Sequence, residues 1–314
     1  HQPDVIFHMA AQPLVKTSYQ YPRETFDSNT TGTLNILKSV RTLDIATHLI
    51  LITTDKAYQN LELVYGYREV DALGGYDPYS ASKAAAELVI QSYLKSFFNP
   101  EEQSKVKVAS VRAGNVIGGG DQGHYRIVPD IVQATAKGEP VIVRNPDAIR
   151  PWQHVLEPLS GYLLLGKKLL DNELHYCDAW NFGPENESVV TVEELVNTAI
   201  QYWPVIHWEL EGAREEKQHE AKLLKLDCSK ARFNLNWTPV WEFEDCVRYT
   251  VKWYKDFYQD GTNNGMTERS LYDLASYVED AKTKKKFGLT ATEATFDNRM
   301  QCLNESSLSR VLEC

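Results

Sequence analysis

Short apolar runs alternate with amphipathic stretches along the first two thirds of the chain. The runs at 4–8 and 48–55 are mostly apolar, which is typical of strands buried on both faces. The stretches at 24–42 and 79–97 carry apolar residues at helical spacing instead. This alternation predicts an α/β fold with a doubly wound, parallel sheet of the Rossmann type.

The pattern changes near residue 191, where short helices and one alternating strand replace the regular succession. We therefore predict an incomplete Rossmann-type domain at 1–190, a smaller substrate lobe at 191–282 and a tail of unknown role at 283–314. Segments within about 117–155 are expected to contribute to the substrate side as well. The other predicted elements of the first domain are strands at 106–116, 141–144 and 179–182, helices at 127–137 and 157–170, a covering loop at 57–76 and a turn at 150–154.

Composition narrows the class of protein. The 314 residues carry a net charge of −10, which disfavours binding to nucleic acid. No apolar run is long enough to cross a bilayer. The five cysteines show no C-x-x-C spacing, so the sequence predicts neither a zinc site nor a disulfide framework. We expect a cytoplasmic, globular protein with no metal site.

Reactive side chains are concentrated at two places in the sequence. The second apolar run ends in Thr53, Thr54, Asp55 and Lys56, and the next predicted helix begins with Tyr79 and Lys83. Because open parallel sheets bind their ligands at the carboxyl ends of strands, we expect these groups to share one site. At a spacing of four residues, the ammonium of Lys83 is expected to lower the pKa of Tyr79 and make it a base. The spacing alone is common and also fits an ordinary helix surface.

Other candidates follow from single residue types. Ala10 and Ala11 come after the first strand, where small side chains let a flat cofactor lie against the backbone or let a helix pack tightly. Arg150 is suited to a pyrophosphate because a guanidinium matches phosphate oxygens, and Asn115 could bond the same group. Trp152 either stacks on a base or fills a hydrophobic corner.

Several motifs together resemble those of the extended short-chain dehydrogenase/reductases, the NAD-dependent epimerase/dehydratase family. Thr54, Tyr79 and Lys83 match the Ser/Thr-Tyr-Lys triad of that family. A narrower resemblance, to the CDP-glucose 4,6-dehydratases, rests on the segments 7–14, 77–83, 112–121 and 144–155. The last of these segments is the most specific, and the likeness runs from the first residue to about Lys282.

The resemblance implies a tightly bound NAD, a nucleotide-sugar substrate and a homodimer formed through the helices at 24–42 and 79–97. The residues it implies for the cofactor are Ala10, Ala11, Asn29, Thr53, Tyr79 and Lys83. The residues it implies for the substrate are Gln12, Asn115, Arg150 and Trp152. The resemblance implies that Asn29 links the active-site lysine to water, an interpretation that we favour over an ordinary satisfied helix asparagine.

The chemistry implied by the resemblance uses five side chains. Tyr79 would take the proton of the C4 hydroxyl, with Lys83 stabilising the phenolate and Thr54 holding the hydroxyl. Asp55 would then act as the acid and Lys56 as the base in the removal of water. The related dTDP-sugar dehydratases carry Asp-Glu at this place, so Lys56 favours the CDP-glucose branch over the dTDP-glucose and GDP-mannose branches.

Three alternatives remain open: another nucleotide-sugar 4,6-dehydratase, a nucleotide-sugar 4-epimerase, and an inactive truncated fragment that binds a nucleotide sugar. The first predicted strand has nothing before it, and the Gly118–Gly120 run does not lead directly into a helix as a phosphate-binding loop does. We therefore expect the first strands of the Rossmann-type domain and its Gly-rich loop to be missing.

Overall fold

The computed structural model describes residues 3–43, 45–99, 104–185, 188–212, 223–259 and 265–286. The strands are β1 Val5–His8, β2 Thr47–Ile52, β3 Val106–Ala113, β4 Asn115–Ile117, β5 Val141–Val143, β6 Ile149–His154, β7 Ala179–Phe182, β8 Val189–Thr191 and β9 Trp208–Leu210. The helices are α1 Val15–Gln20, α2 Pro22–Phe26, α3 Gly32–Arg41, α4 Pro78–Ser96, α5 Ile127–Lys137, α6 Leu156–Leu170, α7 Val192–Tyr202, α8 Ser229–Leu235, α9 Phe243–Gln259 and α10 Met266–Thr283. A π-helical turn, Asp27–Thr31, joins α2 to α3, and 3-10 turns form at Asp55–Ala57 and Leu174–Tyr176.

Four parallel strands form the central sheet in the order β1-β2-β3-β7. Leu49, Ile50 and Val108 in its middle strands are fully buried, as expected for a parallel sheet covered on both faces. All four strands point the same way, so their carboxyl ends meet at one edge. The predicted α/β fold with a parallel sheet is confirmed.

A second hydrophobic core lies beside this sheet. It combines residues of 117–152 with others from α7, from the segment before α9, and from α9 and α10, including Trp152, Val196, Trp241 and Tyr277. Two small sheets border it: β4 pairs with β6 and β6 with β8, while β5 pairs with β9. The structure thus groups part of 117–155 with the residues after 191, whereas the predicted domain boundaries themselves stay a prediction.

Three predicted elements differ from the structure. The strand predicted at 106–116 is two strands, because the chain leaves the central sheet at Gly114 and β4 pairs with β6. The turn predicted at 150–154 is β6 itself, in which Pro151 pairs with Val189 of β8. Helices after residue 191 were expected to be short, but α9 and α10 have 17 and 18 residues. Their length follows from the apolar faces that they bury in the second core.

The described residues also bear on the excluded classes of protein. In none of the described ranges is a helix long and apolar enough to cross a membrane. Within the same residues no group of His, Cys, Asp and Glu is arranged to hold a metal ion. Cys177, Cys228 and Cys246 are buried free thiols. The predicted tail lies outside the described residues from position 287 onward.

Candidate active site

The candidate site forms where β2 ends and α4 begins. After β2 the chain turns sharply at Asp55–Ala57, and the Thr54 hydroxyl caps this turn by accepting from the Lys56 amide at 3.3 Å. Helix α4 starts behind Asp77, whose carboxylate accepts from the Ser80 amide at 2.9 Å. These two local structures bring the Thr54–Lys56 turn next to Tyr79.

Tyr79, Thr54 and Asp55 form one line of interacting side chains. The Thr54 hydroxyl donates to Oδ1 of Asp55 at 3.0 Å, and the influence of Thr54 lowers the pKa of Tyr79 against the larger rise that burial causes. All three side chains are buried. Three of the predicted catalytic residues therefore meet, in an arrangement that can pass a proton between a phenol and a carboxyl group.

Asp55 lies in an environment that favours its protonated form. Its side chain is 2% exposed, and Oδ2 is buried with no hydrogen-bond partner among the described residues. Burial raises the pKa of Asp55, while the charges of Lys56 and Arg150 oppose that rise. The half-buried Lys56 directly follows Asp55 in the turn, as the sequence requires. The pair thus presents an acid beside an amine.

The expected effect of Lys83 on Tyr79 is not found. Burial raises the pKa of Tyr79 to about 12, and the charges that act on it are those of Asp55, Arg126 and Asp77. The Lys83 ammonium donates instead to the backbone carbonyl of Ile52 at 3.2 Å. In this arrangement burial therefore dominates the pKa of Tyr79, and the lowering expected from Lys83 is not seen.

Lys83 is itself perturbed by its surroundings. Burial lowers the pKa of Lys83 to about 8, and the Glu87 carboxylate one helical turn later opposes this. His8 is the last residue of β1. Burial lowers the pKa of its imidazole, and the positive charge of Lys83 lowers it further. Its Nε2 is buried with no partner among the described residues. Burial and the Lys83 charge therefore both disfavour a charged His8 imidazole at the end of β1.

Asn29 connects the loop after β1 to the start of α4. It lies in the π-helical turn, a form of helix that is often found at functional sites. Its side chain bonds the backbone of Gln12 in both directions, at 2.8 and 3.0 Å, and donates to the Ser82 hydroxyl at 2.9 Å. These bonds fix the loop against the tyrosine helix rather than reaching Lys83.

The other residues predicted for the cofactor lie around the same strand ends. Ala10 is exposed and Ala11 half-buried directly after β1, so the backbone there is open to a flat ligand. Thr53 is buried, and its hydroxyl donates to Glu87 and to the Val111 carbonyl beneath the site. The alanines and Lys83 fit a nicotinamide cofactor, whereas the Thr53 hydroxyl is already bonded to the protein.

The residues predicted for the substrate are divided by the structure. The positive charge of Arg150 opposes the rise in the pKa of Asp55. Asn115 lies half-buried on the neighbouring strand β4. Trp152 is buried in the second core, which fits the hydrophobic-corner interpretation rather than stacking on a base. The Gln12 amide bonds within its own loop, to Leu14 and to the Thr25 hydroxyl.

Sequence reasoning missed Arg126. Its charge acts on Tyr79, and its guanidinium is held by Asp121 at 2.8 Å. The loop that carries both residues is fixed on α9, where the Tyr254 hydroxyl donates to the Asp121 carbonyl at 2.8 Å. Gly119 lies so close to the Trp253 ring that a Cβ would come within 2.1 Å of it. The glycine run therefore serves close packing, which its sequence alone did not reveal.

An open cavity of about 380 Å³ lies between α1 and the Arg126 loop. Its lining residues are Lys16, Thr17, Tyr19, Gln20 and Tyr125. The Lys16 ammonium lies 4.3 Å from the centre of the Tyr125 ring, which joins the two walls. Tyr125 adopts φ 64°, a left-handed conformation that is uncommon outside glycine and is found at ligand sites.

Comparison with known proteins identifies the family of the chain. Residues 1–250 match the family described as GDP-mannose 4,6 dehydratase. A CDP-glucose 4,6-dehydratase from Salmonella typhimurium is 48% identical over 278 residues, covering 88% of this chain and 77% of that protein.

Two solved structures resemble the fold. A dTDP-glucose 4,6-dehydratase from Streptomyces venezuelae, solved with NAD bound, has a TM-score of 0.68 and 21% identity, covering 84% of this chain and 76% of that one. A UDP-glucuronic acid 4-epimerase from Bacillus cereus, in complex with UDP-glucuronic acid and NAD, has a TM-score of 0.69 and 18% identity, covering 81% of this chain and 76% of that one. With the family match over 250 residues and the 48% identical relative, the chain belongs to the GDP-mannose 4,6 dehydratase family of proteins.

Proposed function

We propose that the protein is a CDP-glucose 4,6-dehydratase, which converts CDP-glucose to CDP-4-keto-6-deoxyglucose. The observation that carries this proposal is the line formed by Tyr79, Thr54 and the buried acid Asp55. A phenol next to a hydroxyl suits oxidation at C4, and a protonated carboxyl suits loss of the C6 hydroxyl. The 48% identity to a CDP-glucose 4,6-dehydratase supports the choice of substrate.

The cofactor is proposed to be NAD, bound at the carboxyl ends of β1 and β2 beside Ala10, Ala11 and Lys83. NAD supplies a hydride acceptor for C4 that can return the hydride at C6. The open backbone after β1 and the buried Lys83 ammonium support this location. Asn29 serves it indirectly, because it fixes the loop after β1 to the start of α4.

The oxidation step relies on Tyr79, Thr54 and Lys83. Tyr79 accepts the proton of the C4 hydroxyl, and Thr54, which already influences the pKa of Tyr79, is proposed to orient that hydroxyl by hydrogen bonding to it. Because burial raises the pKa of Tyr79 to about 12, the phenolate needs a nearby positive charge. We propose that Lys83 supplies it once its ammonium leaves the Ile52 carbonyl, to which it is bonded at 3.2 Å.

The elimination step relies on Asp55 and Lys56. The ketone at C4 makes the proton on C5 more acidic. Lys56 removes this proton, and the electrons of the C5–H bond form the C5–C6 double bond. Asp55 gives its proton to the C6 hydroxyl, which leaves as water. The hydride taken from C4 would then return to C6, and the proton held by Lys56 would return to C5, which completes the 4-keto-6-deoxy product. Burial raises the pKa of Asp55 and so favours the protonated form that this step needs. Arg150, whose charge acts on Asp55, is proposed to bind the pyrophosphate together with Asn115.

A panel of sugar nucleotides tests the proposed function. The chain, expressed together with any sequence that precedes it in its gene, is incubated with CDP-glucose, dTDP-glucose, UDP-glucose and GDP-mannose. We expect the mass of CDP-glucose to fall by one water, and Tyr79→Phe to abolish the change. Preferred loss of water from another sugar nucleotide would replace the substrate. An unchanged mass with epimerised product would contradict the dehydratase.

The homodimer also belongs to this proposal. Exposed apolar side chains on the helices that the resemblance pairs support it: Phe26, Leu88 and Phe97 are 38%, 58% and 44% exposed. A cytoplasmic location stays a prediction, which the free buried thiols support.

A further inference from the structure

An ion pair lies wholly buried beneath the candidate site. Glu87 of α4 and Arg112 of β3 bind through two hydrogen bonds, of 3.0 Å from Nε and 2.8 Å from Nη2. Neither side chain has any exposed surface. Because burying two charges costs hydration energy, such a pair contributes little to stability, and a role in fixing one arrangement is a reason to look further.

The carboxylate side of this pair reaches the residue before the catalytic turn. The Thr53 hydroxyl donates to Oε1 of Glu87, and the Ser110 hydroxyl donates to Oε2 at 2.9 Å. Thr53 directly precedes Thr54 and Asp55. Glu87 therefore ties the start of the 54–57 turn to the helix that carries Tyr79.

The guanidinium side reaches the residue after the same turn. Nη1 of Arg112 donates to the Tyr58 hydroxyl at 2.7 Å, and that hydroxyl donates to Oδ1 of Asn181 on β7 at 2.7 Å. The Arg112 guanidinium also lies 4.8 Å from the centre of the Tyr58 ring. Tyr58 is fully enclosed and directly follows Ala57, the last residue of the turn.

We propose that Glu87 and Arg112 act as a clamp that holds both ends of the 54–57 turn, through the hydroxyls of Thr53 and Tyr58. This makes the two charged residues positioning residues, which set where Thr54, Asp55 and Lys56 stand relative to Tyr79. The inference rests on the proposed function, since it concerns the alignment of the same catalytic groups. A charged pair makes strong, directional hydrogen bonds, so it can hold both ends of the turn more firmly than apolar packing would.

The clamp is tested through its two hydroxyls. Replacing Glu87 itself would leave Arg112 as an uncompensated buried charge and endanger folding. Thr53→Val and Tyr58→Phe each remove one bond to the ion pair, together with the bond that the same hydroxyl makes to Val111 or to Asn181, and they keep the ion pair itself. Thr47→Val, at the opposite end of β2, and Tyr176→Phe are matched controls, since each of these buried hydroxyls donates to a backbone carbonyl away from the site.

We expect each clamp variant to lower kcat with CDP-glucose by about 10- to 100-fold, because small misplacements of catalytic groups have effects of this size. KM should stay within about 3-fold, and bound NAD should be unchanged, since both hydroxyls are bonded to protein groups in the structure. The controls should keep kcat within about 2-fold. Clamp variants with the kcat of the controls would overturn the inference.

Hydrogen exchange of the free protein gives a second test that needs no substrate. The amides of Lys56, Ala57 and Tyr58 are hydrogen-bonded within the turn. We expect both clamp variants to exchange these amides about tenfold faster or more, and the controls to leave them unchanged. Unchanged exchange in the clamp variants would overturn the clamp. If no sugar nucleotide is converted by the unaltered protein, the proposed function fails while the exchange result still decides the clamp.

Discussion

The Thr54 hydroxyl donates to Oδ1 of Asp55 at 3.0 Å, and the same threonine lowers the pKa of the neighbouring Tyr79 phenol. One side chain therefore couples the group proposed for oxidation to the group proposed for elimination. This coupling explains how neighbouring residues of one short turn can serve two steps. The two steps can still be tested separately, because each has its own proton-transfer residue: Tyr79 for oxidation and Asp55 for elimination.

Asp55→Asn should block elimination and spare oxidation. The amide cannot donate the proton that the leaving C6 hydroxyl needs, so formation of the dehydrated product should fall by about 10²- to 10⁴-fold. The variant should still reduce the bound cofactor when it is mixed with CDP-glucose, as measured by the absorbance of the reduced cofactor. Asp178→Asn is the control, since this carboxylate is an exposed partner of Lys230. Dehydration at the normal rate in Asp55→Asn would remove Asp55 as the acid.

Lys56→Ala tests the proposed base. Without the amine, the C5 proton should be retained and elimination should fall by about 10²-fold or more, while oxidation at C4 remains possible. Exchange of the C5 proton with deuterated water, measured by NMR, reports this step directly. Lys137→Ala, in the exposed last turn of α5, should behave as the unaltered protein. Unchanged product formation in Lys56→Ala would take this lysine out of the mechanism.

The oxidation step should weaken in alkali because of Lys83. Burial lowers the pKa of Lys83 to about 8, so its ammonium is present below that pH and lost above it. The rate of the first oxidation should therefore decline as the pH rises through about 8. Lys83→Arg keeps its charge at every pH used and should lack this decline, though it oxidises more slowly. The same alkaline decline in Lys83→Arg would assign it to another group.

The stability of the second core should depend on pH through Glu157. This carboxyl, fully buried at the start of α6, accepts from the Val240 and Trp241 amides at 3.0 and 2.8 Å and from the Tyr277 hydroxyl at 2.7 Å. Burial raises the pKa of Glu157 from 4.5 to about 7. Because the folded state favours its protonated form, its contribution to stability is present below pH 4.5 and is lost as the pH rises through 7.

Denaturant unfolding at several pH values measures this effect. Between pH 4.5 and 8 the free energy of unfolding should fall by about 3 kcal/mol relative to Glu157→Gln, which cannot titrate. Tyr277→Phe should lower it by about 1–3 kcal/mol, since it removes a donor to a buried carboxyl group. A parallel pH dependence in the unaltered protein and Glu157→Gln would contradict the assignment.

Leu88→Glu should disrupt the proposed dimer. Leu88 is 58% exposed on α4, where a buried charge at an interface would be costly. Leu163→Glu is a matched control, since Leu163 is 64% exposed on α6, away from the helices proposed to pair. Sedimentation velocity should show a monomer only for Leu88→Glu. Equal behaviour of both variants would argue for a different interface.

The regular elements and part of the site followed from the sequence. The helix at 127–137 and the strand at 179–182 have their predicted bounds, because each carries an unbroken pattern ended by turn residues. The sequence could indicate that Thr54, Asp55 and Tyr79 share a site, because the end of a strand and the start of a helix are both marked by local residues. Pro151 and Trp152 were assigned to a turn, since their pairing with other strands is not written in local spacing.

Long-range contacts account for what the sequence did not predict. Helical spacing placed Lys83 on the same helix face as Tyr79, but the Lys83 ammonium donates to the backbone carbonyl of Ile52 instead. Tyr58 and Asn181 are 123 residues apart and meet only in the folded chain. Arg126 reaches the site because its loop packs on α9, which no motif signals. Burial and pairing of this kind depend on tertiary packing, and they set the pKa of each catalytic group.

The fate of the C4 hydrogen tests the central claim most directly. CDP-glucose deuterated at C4 is incubated with the protein, and the product is examined by mass spectrometry and NMR. The account predicts loss of one water with the deuterium kept and moved to C6, as required when one site oxidises C4 and reduces C6 through a bound cofactor. Product that loses no water, or that loses the deuterium to solvent, would contradict it.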